Sequence, residues 1–283
     1  MFPIIGVLIV FGSIIGGYLM EKGNVHVLFQ PAEFVILGGA AIGALVITCT
    51  PKALVKILKN LSKIFGSGPG KKEYVDLLSL LYLLFAKAKK DGLLGVEADI
   101  ESPAKSPIFK KYPQIMNNHH AVEFICDNFR VYILGVKSYE FEEMMDRELE
   151  AHHEESSMPS AVIGKVADSL PGFGIVAAVL GVVITMGKMS ESPDVIGHSI
   201  AAALVGTFLG ILLCYGFLGP IGSNLEYRAK EEAKYFEAIK VAILSFSKEM
   251  PPQLAVENAR RVLFSDAKPS FKELETAVRK KAA

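Results

Sequence analysis

Residues 170–187, LPGFGIVAAVLGVVITMG, and residues 199–223, SIAAALVGTFLGILLCYGFLGPIGS, decide how the rest of the chain is read. Neither run contains Asp, Glu, Lys or Arg. At 1.5 Å per residue the first makes about 27 Å of α-helix, close to the ~30 Å hydrocarbon core of a bilayer. A helix pair inside a globular core is also apolar all round, but two features favour lipid. Small residues recur at four-residue spacing, Ala177 with Gly181 and Gly206 with Gly210, which lets membrane helices approach backbone to backbone. The second run stays apolar for its whole length with no polar face. The two runs are expected to form a transmembrane hairpin.

Composition points the same way. Of 283 residues 51% are hydrophobic, yet 21% are charged, and the charges avoid particular stretches. Basic and acidic residues balance at 30 each, so there is no footprint for nucleic acid and no acidic tail. Cys49, Cys126 and Cys214 are far apart and form no CxxC pair; they read as packing residues in a reducing compartment.

Two further apolar stretches lie at the start. Residues 2–20, FPIIGVLIVFGSIIGGYLM, have no basic region before them and no AxA-like cleavage site after them, so a retained first span is expected rather than a signal peptide. After EKGNVHVLFQ a second span runs over 31–50. Gly12 with Gly16, and Gly39 with Gly43, again give GxxxG faces. Pro31 suits a first helical turn, and Glu33 beside it is expected at the membrane interface.

Charge bias sets the orientation. Of the 30 Lys and Arg residues only Lys22 lies between spans one and two and only Lys188 between spans three and four; the other 28 fall in 51–168 and 224–283. Lys and Arg collect on the cytoplasmic side, so both large polar segments and both termini are expected in the cytoplasm. The organisation is a transmembrane hairpin at 1–50, a cytoplasmic helical domain at 51–168, a second hairpin at 169–223 and cytoplasmic C-terminal helices at 224–283. The fold class is an all-α integral membrane protein with four spans.

Within the cytoplasmic segments, PKALVKILKNLSKIF at 51–65 spaces its lysines every three or four residues, as in a helix lying along the inner membrane surface. GSGPG at 66–70 breaks it. From Lys72 to Lys90 one helical face carries Tyr74, Leu77, Leu78, Leu81, Leu84, Phe85 and Ala88, and Lys87, Lys89 and Lys90 complement the negative end of the helix dipole. A short helix over 94–100 brings Glu97 and Asp99, followed by Glu101; taken alone, this acidic run and the basic run read as solvated helix ends. A helical pattern covers 119–155, a long amphipathic helix 224–249, and Ser270 with Glu273 offers a capping box for the last helix.

Enzymatic signatures are absent. No GxxxxGK[ST], GxSxG or HExxH occurs. The pairs His119/His120 and His152/His153 place their rings about 100° apart on a helix, unsuited to a shared metal, and only His152 with Glu155 has ligand spacing. No metal or cofactor is expected. Inside the spans the polar groups are few: Thr185 and Thr207, with Pro171 and Pro220 as kinks or hinges at the cytoplasmic ends of spans three and four. With Glu33 at an edge, ion movement would need a partner carrying the titratable group.

LPGFGIVAAVLGVV, VGTFLGILLCYGFLGP, QPAE before span two, YVDLLSLLYLLFAKAKKDG and PSFKELE together resemble the proton-driven branch of the flagellar stator MotA family over essentially the whole chain. The resemblance implies a stator subunit that forms a ring, a pentamer, around a dimer of single-span MotB, whose Asp carries the ion and whose outer domain holds the cell wall. Proton flow would turn the ring against the rotor protein FliG from the bacterial inner membrane. The family's rotor-facing Arg and Glu fall on Lys89 and Glu97, with Lys90 an equal candidate for the basic role. Its ion-path prolines fall on Pro171 and Pro220 and its threonine on Thr207; Thr185 is grouped with them. Sodium-driven relatives place a threonine where this chain has Ala178, so H+ is the expected ion. The related ExbB and TolQ proteins share the last hairpin but have three spans, which makes an energy-transducing subunit of that kind the alternative.

Overall fold

The computed structural model describes residues 2–63, 66 and 68–282, and every regular element among them is helical. The chain forms two compact units, one of Met1–Gly66 with Ser157–Tyr227 and one of Ser67–Ser156 with Arg228–Ala283.

The membrane unit begins with α1 (Phe2–Met20), a single turn α2 (Val25–Leu28) and α3 (Pro31–Thr48). Asn24 caps α2 by accepting the His26 N–H, and Pro31 opens α3 where a missing N–H costs nothing. The amphipathic α4 (Pro51–Lys63) follows; residues 64 and 65 of its expected run lie outside the described residues, as does residue 67 of the break after it. Ile57 anchors α4 against Val162, Ile163 and Leu225, which is why the lysine-bearing helix belongs with the spans. Among the described residues four helical stretches are long and apolar enough to cross a membrane: Phe2–Met20, Val25–Thr48, and the apolar parts of Ser138–Met186 and Pro193–Ser247.

In the helical unit, α5 (Lys71–Asp91) buries all seven residues of its expected apolar face. A 3-10 turn at Leu93–Val96 leads into α6 (Glu97–Glu101), and a second one at Phe109–Lys111 into α7 (Pro113–Met116) and α8 (His119–Ile133). The helix expected over 119–155 is broken: Gly135, at φ 78°, takes the left-handed backbone that stops α8, and α9 (Ser138–Met186) starts three residues later. Helix α9 then runs unbroken through Pro159 and Pro171 into the third span. The fourth span is α10 (Pro193–Ile211), widened to a π-helix at Leu212–Leu218, then α11 (Gly219–Ser247). Helical residues are therefore unbroken from Pro193 to Ser247.

Helices α12 (Pro252–Arg261) and α13 (Phe271–Ala282) pack on α5. Phe85 stacks on Phe246 at 4.5 Å and tilts against Phe129 at 5.9 Å, while Phe124 meets Phe236 edge-on at 5.4 Å. Each such buried ring contributes about 1.5–3 kcal/mol. The capping box on α13 is made as its spacing predicts: the Ser270 N–H donates to Glu273 Oε2 at 2.6 Å and the Glu273 N–H to Ser270 Oγ at 3.3 Å. Lys71 on α5 adds an ion pair to Glu273 at 2.8 Å. Its hydrogen bond, with those of the box, lowers the Glu273 carboxyl to about 2.

Candidate functional site

Spans three and four meet along a seam with almost no side chains in it. A Cβ added to Gly174 would lie 2.8 Å from the Gly206 carbonyl oxygen, and one added to Gly210 would lie 2.6 Å from the Leu170 carbonyl oxygen. At Gly181 it would come within 3.0 Å of the Ala203 Cα. Backbone therefore touches backbone, the arrangement that dispersion forces favour when water cannot drive association. The glycines of α1 and α3 do not take part: Gly12, Gly16, Gly39 and Gly43 have open space where a Cβ would be. Small-residue spacing identified the third and fourth spans' contact, but on the first two it marks no contact within the chain.

The expected ion-path residues fall unevenly on this seam. Thr207 donates across it to the Gly174 carbonyl at 3.3 Å, so its hydroxyl ties the two spans together. Thr185, buried, donates to the Gly181 carbonyl of its own helix at 2.8 Å. Ala178 is half-buried beside Ala177, which packs against Gly206. Pro171 sits within α9, four residues before the Ile175 that faces outward. Pro220 is exposed and directly follows the π stretch, where the Gly219 N–H reaches the Cys214 carbonyl, one residue further back than in an α-helix.

Glu33, in the first turn of α3, is enclosed by protein. Its side chain is 7% exposed, and Oε2 has no hydrogen-bond partner. It lies against Gly206, where a Cβ would collide with that oxygen. The physical reason is the contact of α3 with α10: a glycine on α10 leaves a recess, and the long Glu side chain fills it instead of folding back to cap its own helix. Composition alone gives no sign of this. The only hint is a glycine on one apolar run and a carboxylate in the first turn of another.

In the helical unit Lys89, Lys90 and Glu97 are exposed. No ion pair engages them among the described residues. Their neighbour Asp99 behaves differently from a solvated helix end: it is buried, accepts from Lys87 Nζ at 2.6 Å and from Ser106 Oγ at 2.5 Å, and so pins α6 to α5. Arg130 holds the far end of α6 through Glu101 at 2.6 Å and the Ile100 carbonyl at 3.3 Å. The Glu101 hydrogen bond raises the Arg130 guanidinium above its ordinary value, Asp127 assisting. The three exposed charges therefore stand on rigid supports. Elsewhere, His152 lies on Phe236 at 4.3 Å, with His120 6.3 Å away and Glu232 at 3.8 Å; among the described residues no group of three or more His, Cys, Asp or Glu is placed to hold a metal.

One unit holds four apolar spans, two of them joined along a glycine seam that the Thr207 hydroxyl crosses, and the other bears the exposed Lys89, Lys90 and Glu97. That combination defines a multi-pass membrane subunit. Residues 4–92 match the motility protein A N-terminal model and residues 113–238 the MotA/TolQ/ExbB proton channel family. The chain is 43% identical over 281 residues to motility protein A of Escherichia coli, covering 99% of this chain and 95% of that one. To chemotaxis protein LafT of Vibrio parahaemolyticus it is 36% identical over 273 residues, 96% of each. Two solved structures share its fold. MotAB of C. jejuni aligns with a TM-score of 0.77 at 22% identity, over 95% of this chain and 98% of that one. The flagellar MotAB stator complex of Bacillus subtilis gives 0.74 at 24%, over 97% and 98%. The chain belongs to the MotA/TolQ/ExbB proton channel family, in its motility protein A branch, and is a stator subunit of the flagellar motor. The N-terminal match and the four spans set aside the ExbB/TolQ alternative.

Proposed function

We propose that the chain, as a pentameric ring around a MotB dimer, forms a transmembrane proton channel and converts proton flow into torque on the rotor protein FliG. The observation that carries the reading is the glycine seam with Thr207 across it: a rigid, nearly side-chain-free hairpin that a partner helix bearing a carboxylate could work against. Pro171, Ala178, Thr185, Thr207 and Pro220 are assigned to the ion path, and Glu97 with Lys89 or Lys90 to the rotor contact. The strong bias of Lys and Arg toward the two large polar segments supports an inner-membrane position with both termini cytoplasmic. Lipid surrounds the spans; no cofactor, metal, nucleic acid or enzymatic reaction is part of the proposal.

Ion choice rests on Ala178. A hydroxyl there could replace a water on a dehydrated Na+, whereas a proton carried on a carboxylate needs no such cage. Either ion gains about 2.3 kcal/mol per unit charge across 100 mV, so coordination must discriminate. Swimming speed is expected to be independent of external sodium at fixed membrane potential and pH gradient, and to collapse with a protonophore. A motor that stops on sodium removal while the proton gradient is intact would overturn the proton assignment.

A further inference from the structure

The carboxyl of Glu33 sits in a built recess that the glycine seam alone does not require. It occupies the first turn of α3, and the room for it exists because position 206 of α10 has no side chain. Gly206 lies seven residues into the apolar run that begins at Ser199, which is roughly 10 Å along the helix. Ala177 of α9 closes the recess, and the next residue of α10 is Thr207, whose hydroxyl crosses to Gly174. The titratable groups on the packed elements are His26 on α2, Asp194 and His198 in the first two turns of α10, and the lysines of α4 beyond the other end of α3. Helix α9 brings none between Asp168 and Lys188. None of these groups gives the Glu33 side chain an ion pair or hydrogen bond.

A buried polar oxygen without a partner costs free energy and in a native structure calls for an explanation. Intramembrane acids that face a helix interface rather than lipid mark ion pathways. We propose that Glu33 is a proton-loading site on the outer half of the channel, a step that rests on the stator reading above. Its carboxylate takes one proton from water on the outer side and becomes the neutral acid. It then gives that proton to the carboxylate carried by the partner helix and returns to the carboxylate form. One O–H bond forms and the same bond breaks, so Glu33 is unchanged over a cycle.

The test uses full-length chain and partner together in inverted and right-side-out vesicles, with proton flux followed by a pH-sensitive dye. External pH is varied while the membrane potential is adjusted to hold the total driving force constant. Wild type is expected to show a flux that depends on external pH with a defined midpoint. Glu33→Gln, which keeps size and hydrogen-bonding capacity but binds no proton, should lower the flux and abolish that midpoint; Glu33→Asp should keep a midpoint and move it. Wild-type flux with a wild-type pH profile in Glu33→Gln would overturn the proposal, because a packing role needs no proton. Loss of membrane assembly in both variants would make Glu33 a folding residue and overturn it equally. If wild-type chain and partner carry no protons at all, the channel reading itself fails and the loading site falls with it, a result distinct from either of the others.

Discussion

Replacing Gly210 by valine is expected to abolish swimming and to strip the chain from the membrane fraction. A Cβ there would lie 2.6 Å from the Leu170 carbonyl oxygen and 3.1 Å from the Gly174 Cα, and both of those atoms are backbone. Neither can swing aside as the end of a side chain would. Even Gly210→Ala should cost roughly 1–3 kcal/mol, the ordinary range for overpacking, and a branched residue more. Separating the seam also draws Thr207 away from the Gly174 carbonyl. Gly164→Ala on α9 is the matched control: nothing lies within 4 Å of a Cβ there, and replacing a helical glycine by alanine gains about 0.5–1 kcal/mol. Immunoblots of membranes together with motility plates check both. Normal assembly and swimming in Gly210→Val would show that the seam is not the tight contact described.

Reversal of Glu97 to lysine is expected to stop rotation while leaving assembly untouched. The side chain is exposed and has no ion pair to lose among the described residues, and exposed pairs contribute only about 0–1 kcal/mol in any case. The helix that bears it is held by Asp99 and Arg130 rather than by Glu97 itself. At the proposed rotor contact, by contrast, like charges brought together cost several kcal/mol. Membrane levels equal to wild type with lost swimming, partly restored by a compensating charge reversal on the rotor, is the expected outcome. Reversing Lys89 and Lys90 singly then tells which lysine carries the basic role. A Glu97→Lys chain that fails to accumulate would make the residue structural.

Much of this architecture could be read from residues alone, and the parts that could not share a cause. Four spans follow from hydropathy because lipid demands long uncharged runs, and the α5 face and the Ser270–Glu273 box follow from local spacing. Local patterns do not report what a neighbouring element supplies. Asp99 looks like one more solvated acid until Lys87 and Ser106 close on it. Glu33 shows no sign of being enclosed until Gly206 opens a recess beside it. Breaks are also decided by context: Gly135 ends a helix that periodicity would continue, while Pro159 and Pro171 fail to end one that a missing N–H would interrupt. The π stretch before Pro220 has no signature in the residues that form it.

The proposed proton path depends most directly on where the ion-carrying group resides. Among the described residues Glu33 is the one acid buried within the spans, and a single site near one side cannot pass a proton across. Proton flux should therefore be measured in vesicles holding this chain alone and in vesicles holding it with the partner, at the same protein density and driving force. Flux is expected only when the partner is present. Substantial flux through the chain alone, or none with the partner assembled, would contradict a partner-borne ion carrier.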